Sequence, residues 1–495
     1  MPIFFYLLSY RMVYYLEGTL EQEHDFNLRE ILKENCAIAG AVDREKASRD
    51  IYNCLSRQRN RGDGGAGIFT VGDTGISYRK RIGSIQQQFD TIAFEKELPW
   101  VYGIWHTRYA TIGKHGDVSN LQPLYFKNTK FWSFALAHNG TLPKIKHVKE
   151  KLLDKWAIFQ SETDSEIFAY LITTSPKKTL EEAIVYAAEK IKLAYSLLIM
   201  TEDKIIALRD RYGVRPLHVA KMKTGWYLIA SETHAFSEYV MEGKVEEEIE
   251  IQPWEMKVFP IGKYLMESHQ YAEPEEHRCV FEWIYFSHPR SKHHGKYHED
   301  FRKALGRSIF QENPTLEWDC IVSIPDSGNS AAEWLSLASW IPIVQAFMRE
   351  HNPAGAGDRS FIEPNTAARK KSIAKKLDLR SDYIKDKHVI TVDDSIVRSN
   401  TQTQVNEALR KAGVKGITTV IPAPPILNIC ELGIDIPTKE ELIACICDGN
   451  IDEIRRKINS DALIYLSKEW LEKTAKEFYN SWICSGCFGG KYAGQ

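Results

Sequence analysis

This chain has few cysteines and few long apolar runs, and its positive and negative charges are nearly balanced. Nine cysteines among 495 residues do not make the dense disulfide framework of a secreted protein, so we expect a reducing, cytoplasmic setting. No stretch approaches the length of a membrane span. The 64 basic and 66 acidic residues leave a net charge of −2, which provides no bulk field to attract nucleic acid or an anionic membrane. We therefore expect neither as a partner.

The length of the chain predicts two or three domains with large cores. The amino-terminal residues 2–8 are apolar but do not read as a signal peptide. No basic residue precedes them, Arg11 follows closely, and no small-residue cleavage site comes after. Met12 is an alternative start of translation that the sequence leaves open.

The most informative segment is an apolar run that ends in two adjacent carboxylates. Residues 389–392 predict a buried parallel strand, and Asp393 and Asp394 follow directly. Apolar residues at helical spacing from Val405, closed by Gly413, predict a helix before the next strand. In such a βαβ unit the acidic pair lies at the edge of the sheet where open α/β folds bind ligands. Loop amides can hold a phosphate and carboxylates can bind sugar hydroxyls, so the segment indicates a ribose phosphate site.

Alone, an Asp-Asp pair after a strand often does no more than cap a helix. The whole run of residues 389–401 is more specific, and it resembles the phosphoribosyl pyrophosphate (PRPP) motif of type I phosphoribosyltransferases, most closely that of the amidophosphoribosyltransferases. The resemblance implies that PRPP is bound by Asp393, Asp394, Ser395, Ile396, Val397, Arg398, Ser399, Asn400 and Thr401. Because that family takes its nitrogen from glutamine, the rest of the chain should contain a glutaminase.

Four motifs that follow Cys36 resemble the class II glutamine amidotransferases, which are N-terminal nucleophile hydrolases with an αββα sandwich fold. They occupy residues 61–68, 106–111, 136–142 and 161–166, and the likeness continues through residues 209–217 and 230–233 to about Phe259. An isolated cysteine such as Cys36 is more often a buried core residue. Four ordered motifs after it favour a nucleophile.

Hydrolysis of an amide needs a nucleophile, a base and donors for the oxyanion. A thiolate is a strong nucleophile, and an α-amino group with an unperturbed pKa of about 8 can act as its base. This works only if Cys36 is the first residue of the mature chain, so residues 1–35 are expected to be a propeptide or N-terminal extension. The resemblance implies an oxyanion hole from Asn139 and Gly140, and glutamine recognition by Arg108 (carboxylate), Asp164 (ammonium), Tyr109 and Thr111.

The second half of the chain resembles the transferase domain of the same family. The resemblance implies a magnesium site at Ser327, Asp393 and Asp394, because Mg²⁺ takes oxygen ligands and neutralises a departing pyrophosphate. Residues 359–377 match the loop that closes over PRPP and shelters ammonia from water.

The cysteines near the carboxyl terminus form a second pattern. Cys484 and Cys487 are a C-x-x-C pair, and Cys279 and Cys430 fall where a cluster-binding subset of the family supplies two further thiolates. The resemblance implies a [4Fe–4S] cluster, whereas the pair alone fits zinc or a redox function equally well. The other thiols are predicted to be core: Cys54, Cys320, Cys445 and Cys447.

The predicted architecture is an extension over 1–35, a glutamine amidotransferase sandwich over 36–265, a doubly wound phosphoribosyltransferase over 279–470 and a cysteine-bearing tail over 471–495. The implied reaction converts glutamine, PRPP and water into 5-phosphoribosylamine, glutamate and pyrophosphate, the first committed step of purine biosynthesis. The resemblance also implies feedback by purine nucleotides and a homo-oligomer. Another class II amidotransferase is an alternative, but the second domains of those enzymes do not bind PRPP.

A second alternative is a nucleotide-binding paralogue with weakened catalysis. Where the family has Gly-Thr-Thr, this chain has Ser399 and Asn400 before Thr401. A glycine adopts positive φ readily and lets the backbone approach phosphate closely, which serine does poorly. The loop segment 351–358 and Ala374 also depart from the family pattern. We therefore predict weaker PRPP binding than is standard for the family.

Overall fold

The computed structural model describes residues 36–42, 47–62, 64–72, 75–89, 102–108, 117–127, 130–131, 133–143, 145–154, 157–315, 318–349, 377–434, 436 and 438–495. The predicted propeptide, most of the loop over PRPP, Tyr109, Thr111 and Ala374 lie outside these residues. In the part of the chain described, no helix has the length and apolar character to cross a membrane.

The strands of the amino-terminal half are, in chain order, β1 (Ala37–Val42), β2 (Gly65–Gly72), β3 (Gly75–Ile82), β4 (Tyr102–Arg108), β5 (Leu124–Phe126), β6 (Phe134–Asn139), β7 (Ser196–Met200), β8 (Lys204–Arg209), β9 (His218–Met222), β10 (Tyr227–Ala230), β11 (Val245–Glu250), β12 (Glu255–Pro260) and β13 (Glu267–Gln270). The helices are α1 (Ala47–Ser56), α2 (Ile85–Gln88), α3 (Lys146–Leu153), α4 (Glu166–Thr173), α5 (Leu180–Lys190) and α6 (Ser237–Met241).

These strands form two antiparallel sheets in a sandwich. One sheet has the order β11-β9-β10-β1-β4-β2-β3 and the other β13-β12-β8-β7-β6-β5. Ile38 of β1 belongs to the apolar layer between the sheets, whereas Ala37, Ala39 and Ala41 pack with Ile51 of α1 on the outer face. Side chains alternate along a strand, so small alanines admit the helix on one face while larger residues fill the other. With α4 and α5 on the second sheet, the predicted αββα sandwich is confirmed.

The carboxy-terminal half contains β14 (Arg278–Cys279), β15 (Lys292–His293), β16 (Lys296–Tyr297), β17 (Cys320–Ser323), β18 (Phe347–Arg349), β19 (Leu377–Leu379), β20 (His388–Val392), β21 (Gly416–Ile421), β22 (Ala462–Tyr465) and β23 (Ile483–Cys484). The helices are α7 (His298–Glu312), α8 (Asn329–Ser339), α9 (Asn400–Lys411), α10 (Ile443–Ile446), α11 (Ile451–Lys457) and α12 (Lys468–Tyr479), and a π-helical turn spans Glu282–Phe286.

The core of this half is a parallel sheet with the order β17-β20-β21-β22. Ile390 faces a core that contains Leu305 of α7, whereas Val389 faces a core that contains Val405 and Leu409 of α9. Both faces of the sheet are therefore covered by helices, as parallel sheets require. The predicted doubly wound fold is confirmed, and β20, α9 and β21 lie where the sequence predicts a βαβ unit.

The two halves share apolar contacts. Ala194, Tyr212 and Val214 of the sandwich belong to the same buried cluster as Trp283 and the helices of the transferase half. The domain boundaries themselves stay predictions.

Candidate active site

Cys36 lies immediately before β1, the central strand of the first sheet, and is only 5% exposed. Its main-chain oxygen accepts a hydrogen bond from Nε of Arg61 at 3.2 Å. Ala37 pairs with Thr107 of β4 in antiparallel register. Because β4 ends at the next residue, Arg108, the pairing brings Cys36 and Arg108 to the same edge of the sheet.

The predicted oxyanion residues Asn139 and Gly140 lie at the end of β6, on the facing sheet. Oγ of Ser231 joins the two sheets, since it accepts hydrogen bonds from the main-chain N–H of Ile38 at 3.0 Å and from Nδ2 of Asn139 at 3.3 Å. Gly140 has φ +150°, and a Cβ there would lie 2.7 Å from the main-chain oxygen of Ala194. The close approach therefore requires glycine at this position.

Arg108 is buried, and Asp164 is half-buried beside the loop that follows the oxyanion residues. A carboxylate oxygen of Asp164 accepts a hydrogen bond from the main-chain N–H of Leu142 at 2.6 Å. Burial raises the pKa of Asp164 to about 6, although main-chain hydrogen bonds and the charge of Arg108 oppose the rise. The structure therefore places a cation and an anion within electrostatic reach of each other. Tyr109 and Thr111 lie outside the described residues.

Behind Cys36 lies a buried ionic network. Nη1 of Arg61 lies 2.6 Å from Oε1 of Glu232, and its Nη2 contacts Glu282. The second oxygen of Glu232 accepts hydrogen bonds from the main-chain N–H of His288 at 2.8 Å and from Oγ of Ser291 at 2.7 Å. Burial alone would raise the pKa of Glu232, but Arg61 and these donors hold it at about 2. The carboxylate is therefore ionised at neutral pH.

Reasoning from the sequence does not single out Arg61, Ser231 or Glu232, although all three lie within segments that match the family pattern. Nothing in their local spacing distinguishes them, because their partners are more than twenty residues away. Their positions in the matched motifs are the one signal that pointed to them.

The predicted acidic pair occupies the carboxyl end of β20, and both carboxylates are buried. Oδ1 of Asp393 accepts hydrogen bonds from Oγ of Ser327 at 2.9 Å and from the main-chain N–H of Asp394 at 2.9 Å. Burial, followed by the adjacent charge of Asp394, raises the pKa of Asp393 well above its ordinary value. The structure thus unites Ser327 with the pair, as the sequence predicts.

The residues after the pair turn back over the sheet edge. Oγ of Ser395 donates a hydrogen bond to Oδ1 of Asp394 at 3.2 Å. Ile396 is a buried core residue, and Val397 packs against the same core while its oxygen accepts a hydrogen bond from Ile443 at 3.0 Å. Because these two apolar side chains are taken up by packing, only their main chain is available for a ligand.

The remainder of the motif leads into α9. Arg398 forms a two-pronged ion pair with Glu441, with both N–O distances 3.1 Å. Ser399 has φ +67° and ψ −20°, a left-handed conformation, and Asn400 and Thr401 are the first residues of the helix. A side chain at this φ is strained, and this is the position at which the family resemblance indicates that serine replaces a glycine.

The four predicted cluster cysteines lie together. Cys279 of β14 is the register partner of Cys484 of β23. The main-chain oxygen of Cys487 accepts a hydrogen bond from the N–H of Leu427 at 2.8 Å, which brings the tail beside the segment that carries Cys430. Three of the thiols belong to one buried core, and Cys430 packs against it.

Burial dominates the acidity of these thiols. It raises the pKa of Cys279 well above its ordinary value, with further contributions from neighbouring Cys484 and Cys487, and it raises the pKa of Cys484 to about 11. The other cysteines agree with their prediction as core residues, since Cys54, Cys320 and Cys447 are buried and Cys445 packs against the core.

Comparison with known proteins gives a consistent result. A sequence model described as a glutamine amidotransferase domain matches residues 96–271. The chain is 36% identical over 468 residues to the amidophosphoribosyltransferase of Bacillus subtilis (strain 168), covering 93% of this chain and 94% of the relative. It is 34% identical over 466 residues to the chloroplastic amidophosphoribosyltransferase of Vigna aconitifolia, covering 94% and 92%.

Solved structures agree. One, described as glutamine PRPP amidotransferase from B. subtilis complexed with ADP and GMP, has a TM-score of 0.81 at 34% identity and covers 92% of this chain and 97% of its own. Another, described as the allosteric regulatory enzyme of purine biosynthesis, has a TM-score of 0.82 at 35% identity and covers 92% and 96%. With both half-sites in place and similarity along nearly the whole length, the chain belongs to the amidophosphoribosyltransferase family and is an enzyme of that family.

Proposed function

We propose that this protein forms 5-phosphoribosylamine, glutamate and pyrophosphate from glutamine, PRPP and water, with the glutaminase at residues 36–265 and the transferase at 279–470. The observation that carries the proposal is the buried Asp393, bonded to Ser327 at the ligand-binding edge of a parallel sheet, in a chain whose other half presents a buried Cys36 at a strand head. The first site suits a ribose pyrophosphate with its metal, and the second suits amide hydrolysis.

In the glutaminase, the thiol of Cys36 attacks the side-chain carbonyl carbon of glutamine, and ammonia leaves as a thioester forms. The side chain of Asn139 and the N–H of Gly140 stabilise the oxyanion. Water then hydrolyses the thioester to glutamate and restores the thiol. The base is the α-amino group of Cys36, which exists only after residues 1–35 have been removed. Processing before Cys36 is therefore part of the proposal.

Recognition of glutamine requires two opposite charges. Arg108 binds the α-carboxylate and Asp164 binds the α-ammonium, each through charge-assisted hydrogen bonds. Their electrostatic proximity to each other supports these roles. Tyr109 and Thr111 complete the proposed pocket.

In the transferase, ammonia displaces pyrophosphate from C1 of PRPP. The oxygens of Ser327, Asp393 and Asp394 fit a magnesium ion, because a buried carboxylate pair is a set of hard donors whose mutual repulsion a divalent cation relieves. Magnesium would supply neutralisation of the departing pyrophosphate. The main-chain N–H groups of residues 395–401, at the start of α9, are proposed to hold the phosphate of PRPP.

The tail cysteines fit an iron–sulfur cluster better than zinc. Among the residues described, one set of three acidic, histidine or cysteine ligand atoms lies mutually within 4.8 Å, and it contains none of the four cysteines. A tetrahedral zinc with bonds of about 2.3 Å would hold its sulfurs closer than that, whereas the larger four-iron cluster would accept thiolates that lie farther apart. We propose that Cys279, Cys430, Cys484 and Cys487 hold a [4Fe–4S] cluster.

The set that does lie within 4.8 Å is Glu250, His293 and His294. Oε1 of Glu250 lies 2.9 Å from Arg209 and also contacts Arg278. Two guanidinium groups therefore already neutralise this carboxylate, and a cation would be repelled. This cluster is a structural ion pair.

Further features are proposed from the relatives. Because a B. subtilis relative was solved with ADP and GMP, we propose purine nucleotides as feedback inhibitors. A homo-oligomer and a cytoplasmic location complete the proposal; the latter is supported by the scarcity of cysteine.

The deciding experiment measures 5-phosphoribosylamine with glutamine and, separately, with ammonia. Cys36→Ala should lower the glutamine-dependent rate about a thousandfold or more and leave the ammonia-dependent rate unchanged. Cys54→Ala, which removes a buried thiol of the same half, should retain both. Wild-type protein without PRPP-dependent product would contradict the proposal. Iron and sulfide analysis of anaerobically purified protein tests the cluster, and zinc without iron would refute it.

A second candidate is a nucleotide-binding paralogue with little turnover. The left-handed Ser399 favours it, because strain at the start of α9 weakens the phosphate site. Wild-type turnover at a rate comparable to that of the B. subtilis relative would exclude this candidate.

A further inference from the structure

We infer that Glu282, on the first helical turn of the transferase half, is a positioning residue for the glutaminase. It holds Arg61 in place against the main chain of Cys36. The inference rests on the proposed function of Cys36 as the nucleophile. It means that the glutaminase half obtains part of its active geometry from the transferase half.

The contacts of Arg61 carry this inference. Its Nε donates to the main-chain oxygen of Cys36 at 3.2 Å, its Nη1 lies 2.6 Å from Glu232, and its Nη2 contacts Oε1 of Glu282. The side chains of Arg61 and Glu282 are 0% and 3% exposed. Two carboxylates hold the planar guanidinium of Arg61 on two sides, so the group has little freedom. Its Nε therefore donates to the main-chain oxygen of Cys36 in a single orientation.

Glu282 also reaches the oxyanion loop. Its Oε2 lies 3.8 Å from Nη1 of Arg215, and Nη2 of Arg215 donates to the main-chain oxygen of Gly433 at 2.9 Å. Gly433 in turn packs so closely that a Cβ there would lie 2.0 Å from the oxygen of Thr141. Thr141 follows Gly140 directly. One carboxylate is therefore linked both to the nucleophile and to the residue beside the oxyanion donor.

Charge balance makes this carboxylate hard to replace. Arg61 and Arg215 are balanced by Glu232 and Glu282, and all four side chains are buried. Loss of Glu282 leaves two guanidinium groups with one carboxylate. We expect Arg61 then to shift toward Glu232, which changes the geometry of its hydrogen bond to the main-chain oxygen of Cys36.

The effect should fall on turnover rather than on binding, because Glu282 contacts Arg61 and, through it, the main chain of the proposed nucleophile. The neutral, isosteric Glu282→Gln should lower kcat for glutamine by about tenfold to a hundredfold. KM for glutamine and the ammonia-dependent rate should change by less than about twofold.

The matched control is Glu250→Gln. Glu250 is likewise a mostly buried carboxylate between two arginines, Arg209 of the sandwich and Arg278 of the transferase half. In the part of the chain that the structure describes, its ion pairs do not include Arg61. If any disturbance of the contacts between the two halves lowered glutaminase activity, Glu250→Gln and Glu282→Gln would lose that activity equally. We expect Glu250→Gln to retain the kcat of the wild type.

Glu282→Asp keeps the charge and shortens the reach by one methylene, so its kcat should lie between wild type and Glu282→Gln. This variant decides the case if Glu282→Gln does not fold. Wild-type kcat in both Glu282 variants overturns the inference, as does equal loss of the glutamine- and ammonia-dependent rates. An inactive wild type would instead contradict the proposed function, which separates the two failures.

Discussion

The two half-sites are assembled in different ways. In the transferase half, Asp393 and residues 394–401 follow one another along the chain, and Ser327 is joined to them by one 2.9 Å hydrogen bond. In the glutaminase half, Cys36 precedes a strand of one sheet and Asn139 ends a strand of the other. Oγ of Ser231 joins the two sheets, because it accepts hydrogen bonds from the N–H of Ile38 at 3.0 Å and from Nδ2 of Asn139 at 3.3 Å. A local site depends on one loop, whereas a dispersed site depends on how whole sheets pack.

The halves also differ in how they treat buried charge. Although burial favours the neutral acid, Arg61 holds the pKa of Glu232 at about 2, so this carboxylate is already paired. In contrast, burial and Asp394 raise the pKa of Asp393. Paired charges fix the geometry of the glutaminase before substrate arrives. Crowded carboxylates favour a cation and a sugar hydroxyl, so we expect the transferase site to be completed by its ligands.

The largest expected effect separates the two halves directly. Asp393→Asn should lower the ammonia-dependent rate about a hundredfold, because it removes charge that, in the proposed site, would offset the positive ribosyl centre and bind magnesium. Glutamine hydrolysis should change much less. Asp319→Asn, at the opposite edge of the same sheet, is the control and should stay near wild type. Equal loss of both activities in Asp393→Asn would show that the sites are not separately assembled.

The glutaminase site should be sensitive to the loss of Ser231, which links its two sheets. Ser231→Ala removes the hydroxyl that ties β1 to Asn139, so kcat for glutamine should fall about tenfold with little change in KM. Steady-state glutaminase kinetics measures both. Ser48→Ala, another buried serine of the same half, is the control. A raised KM with unchanged kcat would mean that Ser231 acts on binding instead.

A pH dependence should follow from Asp164, whose pKa is raised by burial to about 6. Recognition of the glutamine ammonium needs the ionised form, so KM for glutamine should rise about fourfold between pH 7 and pH 5.5. Asp164→Asn should raise KM at neutral pH and abolish the rise.

The same shift affects stability. The folded state holds this proton more tightly than the unfolded chain, so stability present below about pH 4 is lost as pH rises through about 6. Thermal unfolding of Asp164→Asn should therefore lack this loss. An unchanged pH profile in the variant would place the titration elsewhere.

The smallest expected effect concerns the local site. Ser399→Gly removes the side chain at a left-handed position and lets the main chain approach a phosphate more closely, so PRPP should bind tighter by less than about fivefold. Calorimetric titration measures the Kd. Asn480→Gly is the matched control, because Asn480 is also left-handed, at φ 52°, but lies at the end of α12. If PRPP binds the Ser399 variant no tighter, serine is tolerated at this position.

The local features were predictable. β20, α9 and β21 lie where apolar spacing and Gly413 place them, and the pairing of Ser327 with Asp393 agrees with the motif. Strand and helix periods depend on near neighbours, so they can be read along the chain.

What the sequence by itself determined is therefore the family and both folds, together with a set of predicted residues for each half-site. Only the tertiary structure decided that Ser231 bridges the sheets and that Glu282 lies against Arg61. These residues act through partners distant in sequence, and burial makes such contacts strong by excluding water. The spacing of residues along the chain does not reveal which buried charges will contact each other. The packing of whole sheets and helices sets the distances between them.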